Sequence, residues 1–311
     1  MRVMHLTALE TARQAGYPDG EAGALTNLGL VQRLIGDYAA AAKTLTSALD
    51  VCVGLDDRRG LAKVLVVLGV LQRLTVGYPT ATATLSNALE LYRSHGDGLG
   101  QADALNELGI IQQLIGDYAA ATSSHRAAFR LYQELGDKLG QADSLRYLGR
   151  VRQETGDYTA VASSYATALS LYRALNDRLG QAHALNYLGI AQHPSADYMA
   201  AEATQKEALE LYRGLGHRLG QAEVLNNLGE LLAVSDPGQA RDCYEQALGI
   251  ARSITALLEE ARALEGIGTC DIRDADAGHG SVRLRRALEI YQQIGSPFAE
   301  RVDRTLRFHR L

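Results

Sequence analysis

The sequence predicts an all-α solenoid, and three observations carry that prediction. Six glycines recur at a forty-residue interval, Gly29, Gly69, Gly109, Gly149, Gly189 and Gly229, each closing a variant of A-L-x-x-L-G. Alanines keep phase with them: Ala41, Ala81, Ala121 and Ala201 follow their glycines by twelve residues, and Ala48, Ala88, Ala128, Ala168 and Ala208 by nineteen. Two stop signals fall in every period, and the segments between them carry apolar residues at helical spacing, such as Leu105, Leu108, Ile111 and Ile115, with no strand-like alternation. A self-similar period of this size marks stacked helix pairs that share one core, so function belongs to a surface and not to a catalytic motif.

The elements follow in order. Residues 1–16 keep the register of a second helix, because Ala8-Leu9-Glu10 stands forty residues before Ala48-Leu49-Asp50. The chain therefore begins on a helix B whose helix A is missing, as expected of a tail continuing from something longer. Residues 17–295 hold seven repeats, the sixth shortened by one residue (Gly229, Ala240, Ala247) and the seventh degenerate (Gly268, Gly280, Ala287).

Within a repeat the first stop is Gly36-Asp37-Tyr38, Gly116-Asp117-Tyr118 and Gly156-Asp157-Tyr158, decaying to Val76-Gly77-Tyr78 and Ala196-Asp197-Tyr198. Glycine ends one helix there and aspartate caps the next. The second stop, Leu135-Gly136-Asp137-Lys138-Leu139-Gly140-Gln141-Ala142, returns around Asp177 and His217. At the end, Ser296-Pro297 form an N-cap and first-turn proline before Phe298, Val302 and Leu306 at helical spacing, so 296–311 is expected to be a capping helix. Its basic edge, Arg301, Arg304, Arg307 and Arg310, is interleaved with Glu300 and Asp303 and is expected to solvate that cap.

Composition excludes several classes. A net charge of −5 argues against direct nucleic-acid binding, which draws its affinity from clustered Lys and Arg. No run of eighteen apolar residues and no apolar signal-peptide centre occur, so no membrane partner and a cytoplasmic location are expected. Cys52, Cys243 and Cys270 show no C-x-x-C spacing and are expected to be unpaired structural thiols. The stretch from Asp271 to Gly280 invites a calcium reading but lacks the closing Glu of an EF-hand loop, Arg285 standing twelfth from Asp274; an inter-helix loop is the simpler reading. His125 occupies the helix B position held elsewhere by Leu45, Leu85, Tyr165 and Tyr244, and no metalloprotease, serine-hydrolase, Walker or dinucleotide fingerprint occurs. The chain is read as non-enzymatic, with no catalytic residue, metal or cofactor.

The L-G pair in helix A, the G-D-Y turn and the two spaced alanines of helix B together resemble the tetratricopeptide repeat (TPR). The resemblance implies a right-handed superhelix of antiparallel helix pairs, with a period of about 40 residues in place of the usual 34, and Leu25, Leu65, Leu105, Leu145, Leu185 and Leu225 where the family has a large aromatic. It also implies that successive A helices line a concave groove for a protein or peptide. Counting from the L-G pair puts Arg33, Val66, Val70, Arg73, Asn106, Ile110, Arg146, Arg150, Asn186 and His193 on that groove, apolar over the first repeats, cationic at the fourth and acidic toward Glu230.

Helix A of repeat two, Val64 to Leu71, is apolar all round, which fits either a covered binding patch or tight packing of neighbouring A helices. Arg146 and Arg150 lie one turn apart with Tyr147 beside them and His183, Asn186 and Tyr187 on the next A helix. They could clasp a carboxylate or phosphate, or be a solvated pair neutralised by Asp143 and Asp103. No Asn follows the L-G pair, which disfavours the family's carboxylate-clamp receptors.

The recurrent Ala-Leu-Asn-x-Leu-Gly and Leu-Gly-Asp-Lys-Leu-Gly-Gln-Ala phrases, and the ending from Ala287 to Val302, further resemble the C-terminal TPR arrays of large actinobacterial transcriptional regulators of the SARP/NB-ARC type. That resemblance implies a sensor and interaction tail whose occupancy biases attached switch and DNA-binding domains outside this chain. Two other readings stay open: a free-standing scaffold that self-associates through its N-terminal edge, and a small-molecule sensor near Arg150 and His183.

Overall fold

The computed structural model describes residues 2–75, 77–156, 158–192, 198–294 and 296–309. The described residues form sixteen α-helices and no strand, in two units, Met1–Gly156 and Asp157–Leu311. The first unit contains α1 (Arg2–Gln14), α2 (Pro18–Leu34), α3 (Tyr38–Gly54), α4 (Arg58–Thr75), α5 (Tyr78–Ser94), α6 (Gly98–Leu114), α7 (Tyr118–Glu134) and α8 (Lys138–Glu154). The second contains α9 (Tyr158–Ala174), α10 (Arg178–Gln192), α11 (Tyr198–Gly214), α12 (Arg218–Leu232), α13 (Pro237–Ser253), α14 (Leu257–Arg273), α15 (Ala277–Gln293) and α16 (Phe298–Phe308). Within each unit a helix packs on its neighbours in sequence, and A helices also meet the next A helix, as α2 meets α4 and α12 meets α14. This is the all-α architecture of stacked helix pairs that the period predicts.

The two stop signals act by local hydrogen bonding. After α7, Gly136 adopts φ +73° and the Asp137 N–H reaches back to the Tyr132 carbonyl at 2.9 Å, a Schellman closure that only a left-handed residue permits. Asp137 then accepts from the Leu139 and Gly140 N–H groups at 3.0 Å and starts α8. Asp37, Asp97, Asp117 and Asp177 cap their helices in the same way, and His217 does so through Nδ1. The caps expected at Asp157 and Asp197, like Val76, His193 and Arg310, lie outside the described residues.

The glycine period has a steric cause. A Cβ on Gly109 would stand 2.5 Å from the His125 ring, on Gly29 2.7 Å from Leu45 and on Gly189 2.7 Å from Gln205, so these glycines of the L-G pair are the floor of a seat for a helix B side chain. The glycine of L-G-Q-A does the same for a tyrosine: on Gly140 a Cβ would lie 2.2 Å from Tyr132, on Gly180 2.3 Å from Tyr172 and on Gly220 2.6 Å from Tyr212. The following glutamines, Gln141 and Gln221, donate Nε2 to the carbonyls of Tyr132 and Tyr212 at 3.1 Å. The in-phase alanines, from Ala41 to Ala287, are fully buried, which lets helix axes approach closely. All three cysteines are buried and unbridged.

The apolar circumference of α4 is covered by its neighbours on both sides. Val64, Val67, Leu68 and Leu71 pack with α2 and α3, while Leu65 and Val66 pack with α5 and α6. The acidic stretch near residue 271 is not all loop: α14 runs through Arg273, buried Asp271 accepts from Arg241 Nη1 at 2.7 Å and from Arg283, and Asp276 caps α15. No cluster of His, Cys, Asp and Glu suited to a metal ion occurs among the described residues. At the end, Pro297 takes the cap position and α16 starts at Phe298, with Val302 and Leu306 buried against α15. Arg301 does more than solvate this helix, since its Nε and Nη2 fork onto Glu265 of α14 at 2.8 Å each. No helix of the described residues is long and apolar enough to cross a membrane.

Candidate functional site

The A helices place the groove residues differently from the simple count. Asn106 and Asn186, three before their glycines, are 6% and 3% exposed and belong to seams between A helices. Asn106 Nδ2 donates to Ser144 Oγ of α8 at 3.0 Å, and Asn186 Oδ1 accepts from Asn227 Nδ2 of α12 at 2.9 Å. One residue further on, a rotation of about 100° brings Glu107, Tyr147, Tyr187 and Asn227 to the half-buried surface. Val70 and Ile110 are also buried, and Val66 is half-buried in the α5–α6 cluster.

In the first unit the polar face centres on α6 and α8. Half-buried Arg33 and Arg73 act electrostatically on Glu107; burial raises the pKa of this carboxyl, and the two guanidinium groups pull it back. Arg33 Nε, Arg73 Nε and Glu107 Oε2 are shielded from water and have no hydrogen-bond partner. Further along, Arg146 lies over the Tyr147 ring at 4.3 Å and pairs with Asp143 at 3.3 Å, while Tyr147 stacks on His125 at 5.1 Å. Asp103, expected to neutralise this pair, instead accepts from Tyr132 Oη. Because Asn106 Nδ2 is spent on Ser144, its Oδ1 faces His125 Nδ1 at 3.0 Å, so the neutral ring carries its proton on Nδ1. Burial, then Arg150 and Arg146, push the pKa of His125 down to about 3.

In the second unit α10, α11, α12 and α14 line a half-open cavity of about 290 Å³. Its walls include Tyr187, Gln205, Glu223, Asn227, Glu230 and Arg262. Tyr187 stacks on Tyr165 of α9 at 5.4 Å, and His183 accepts or donates at Nδ1 to Tyr212 Oη at 2.8 Å. Arg262 is committed to Asn227 Oδ1 at 2.7 Å, Glu230 at 2.9 Å and Glu259 at 3.2 Å. Glu223 has no hydrogen bond or ion pair; burial and the neighbouring Glu259 raise its pKa to about 7 against the pull of Arg262.

Of the predicted residues, then, Arg33 and Arg73 converge on Glu107, Arg146 and Tyr147 on His125, and Asn186 and Tyr187 on the cavity. Arg150 is half-buried and His183 pairs with Tyr212. Gln205, Glu223, Glu259 and Arg262 were not singled out by sequence. Gln205 had a signal, a polar residue in the position of Leu45 and Leu85; Glu259 and Arg262 lie in the eroded last repeat, where the register is hard to count.

Two family models described as tetratricopeptide repeat match the sequence, one at residues 101–174 and 180–253 and the other at 24–59, together more than half of its length. The chain is a tetratricopeptide repeat protein. A search of curated proteins finds no match to this TPR chain.

Among solved structures it is similar to the apo form of RapI, at 12% identity and TM-score 0.72 over 88% of this chain and 99% of that one. It is also similar to a signal-transduction ATPase of the STAND type with a tetratricopeptide repeat sensor from Pyrococcus horikoshii, at 16% identity and TM-score 0.72, covering 93% of this chain and 44% of that one. A third is the Rap conjugation gene regulator of plasmid pLS20 in complex with the Phr* peptide, at 14% identity and TM-score 0.67 over 93% and 77%. At these identities the likeness concerns the TPR fold.

Proposed function

We propose that this TPR chain is a non-enzymatic binding module that holds a protein or peptide segment along its A-helix face, as the sensor and interaction tail of a transcriptional regulator. The observation that carries this reading is the cavity lined by α10, α11, α12 and α14, where Tyr187 offers an aromatic wall, Gln205 an Oε1 without a donor and Glu223 a carboxyl without an ion pair. A surface built only to pack helices would close such groups with hydrogen bonds. The similarity to a peptide-bound Rap regulator and to a sensor-bearing STAND ATPase supports the reading. In this mechanism a ligand that fits one state of the attached switch better than another shifts the balance between them.

The test is capture from lysate followed by mass spectrometry, with Arg146→Ala/Arg150→Ala and Tyr187→Ala compared with the unaltered chain at matched thermal stability. Partners lost in either variant support a ligand on the A-helix face. Partners retained in both, or seen only as a second copy of this chain, support instead a scaffold that self-associates through α1, whose Met4 and Leu6 are exposed. The regulator role predicts NB-ARC-like sequence upstream in the same reading frame.

A further inference from the structure

The second-unit cavity has a chemistry of its own. In the core position that Leu45, Leu85 and Leu284 fill in other repeats, α11 carries Gln205, 2% exposed and seated on Gly189. Its Nε2 donates to the Asn186 carbonyl at 3.0 Å, which fixes the amide orientation and leaves Oε1 without a donor. The carboxylates of Glu223, Glu230 and Glu259 outnumber the single guanidinium of Arg262, whose Nη1 and Nη2 are engaged by Asn227, Glu230 and Glu259. What this wall lacks is a positive hydrogen-bond donor.

We infer that the cavity between α10, α11, α12 and α14 binds a single organic cation, an ammonium or guanidinium group, with Glu223 as its counter-charge, Gln205 Oε1 as an acceptor and Tyr187 as its aromatic wall. The inference rests on the proposed peptide-binding role for one of its two sources, a Lys or Arg side chain of a bound peptide; the other source is a free amine or guanidine. A cation over a tyrosine face and beside a carboxylate gains from both the ring quadrupole and the charge. An anion would meet three carboxylates in a partly desolvated space, and a purely apolar group would leave Gln205 and Glu223 unpaired. The described acidic residues form no cluster suited to a metal ion.

The test uses the full chain at pH 8, where Glu223 is ionised, with two sets of probes. Ethylguanidinium chloride and its neutral isostere N-ethylurea are titrated while the side-chain amide signal of Gln205 is followed by NMR. Randomised pentapeptides with a fixed central Arg, citrulline or Glu are compared for binding in parallel. Saturable shifts of Gln205 with ethylguanidinium and not N-ethylurea are expected, together with at least tenfold tighter binding of Arg than citrulline peptides. Glu223→Gln should abolish both preferences while its melting temperature stays equal or rises.

Ethylguanidinium binding without any peptide binding would support the cation site, assign it to free amines or guanidines, and overturn the peptide reading. Peptides bound without preference for Arg over citrulline would overturn the cation site and leave the peptide reading standing. Silence of both probe sets would overturn both. The Arg-to-citrulline change is made on the ligand, so a fold defect of a variant cannot imitate it.

Discussion

At the scale of single residues, two seats decide most of the repeat. Gly140 is occupied from above by Tyr132, whose hydroxyl donates to Asp103, so a methyl group there has no room and no flexible neighbour to displace. Gly140→Ala is expected to cost about 1–3 kcal/mol in urea unfolding. His125 and Glu223 give stability opposite slopes with pH. The folded pKa of His125 is about 3 against about 6.5 when unfolded, so between these values the unfolded chain holds the extra proton. The stability that depends on the neutral ring is complete above pH 6.5 and drains as pH falls toward 3.

Glu223 is the reverse case, with a folded pKa of about 7 against an ordinary 4.5, so the folded chain holds the extra proton between those values. Its penalty is absent at pH 4 and complete above pH 7. Unfolding midpoints measured from pH 4 to pH 8 should lose their low-pH slope in His125→Leu, which copies the residue at Leu45 and Leu85. Glu223→Gln should raise the midpoint at pH 8 and leave it unchanged at pH 4.

At the scale of elements, helix ends explain where punctuation was legible and where it was not. Gly136-Asp137 and Gly36-Asp37 were legible because glycine favours the left-handed turn and aspartate the cap, both local effects. The turn after α13 carries no such sign, because Thr255 occupies the left-handed region at φ +54°. A β-branched residue is strained there, and Thr255→Gly is expected to stabilise the chain by roughly 0.5–1 kcal/mol, read as a rise in melting temperature. Ala275, at φ +65°, hides the next turn in the same way and made the acidic stretch look like a longer loop than it is.

The groove register shows the limit of counting. The L-G pair established which helices are A helices, yet a one-residue step turns a side chain by about 100°, and this sent Asn106 and Asn186 into seams while Glu107 and Tyr187 took the surface. That phase depends on how neighbouring A helices cross, which no single helix encodes.

At the scale of the molecule, contacts within each unit run mostly between sequence neighbours, so stability is a sum of helix pairs and their interfaces. Leu306, buried with Val302 on α15, belongs to the last such interface. Leu306→Ala is expected to cost on the order of 2–3 kcal/mol locally. Hydrogen exchange should report this as lost protection in α15 and α16 with α2 to α5 unchanged; uniform loss along the chain would point to one cooperative core instead.

By itself the sequence determined that this protein is an array of TPR units of forty residues with two helices per period, and where most of those helices begin and end. Those properties follow from glycine conformation, capping and apolar spacing, all of which act within a few residues. Only the tertiary structure decided that His125 is held neutral by burial beside Arg150 and Arg146, that Arg33 and Arg73 flank Glu107, and that Gln205, Glu223 and Arg262 share a cavity. These groups stand up to 74 residues apart in sequence, as Arg33 and Glu107 do. Their charge and hydrogen bonding depend on which helix faces meet and on how much water is excluded between them, and neither exists before the repeats stack.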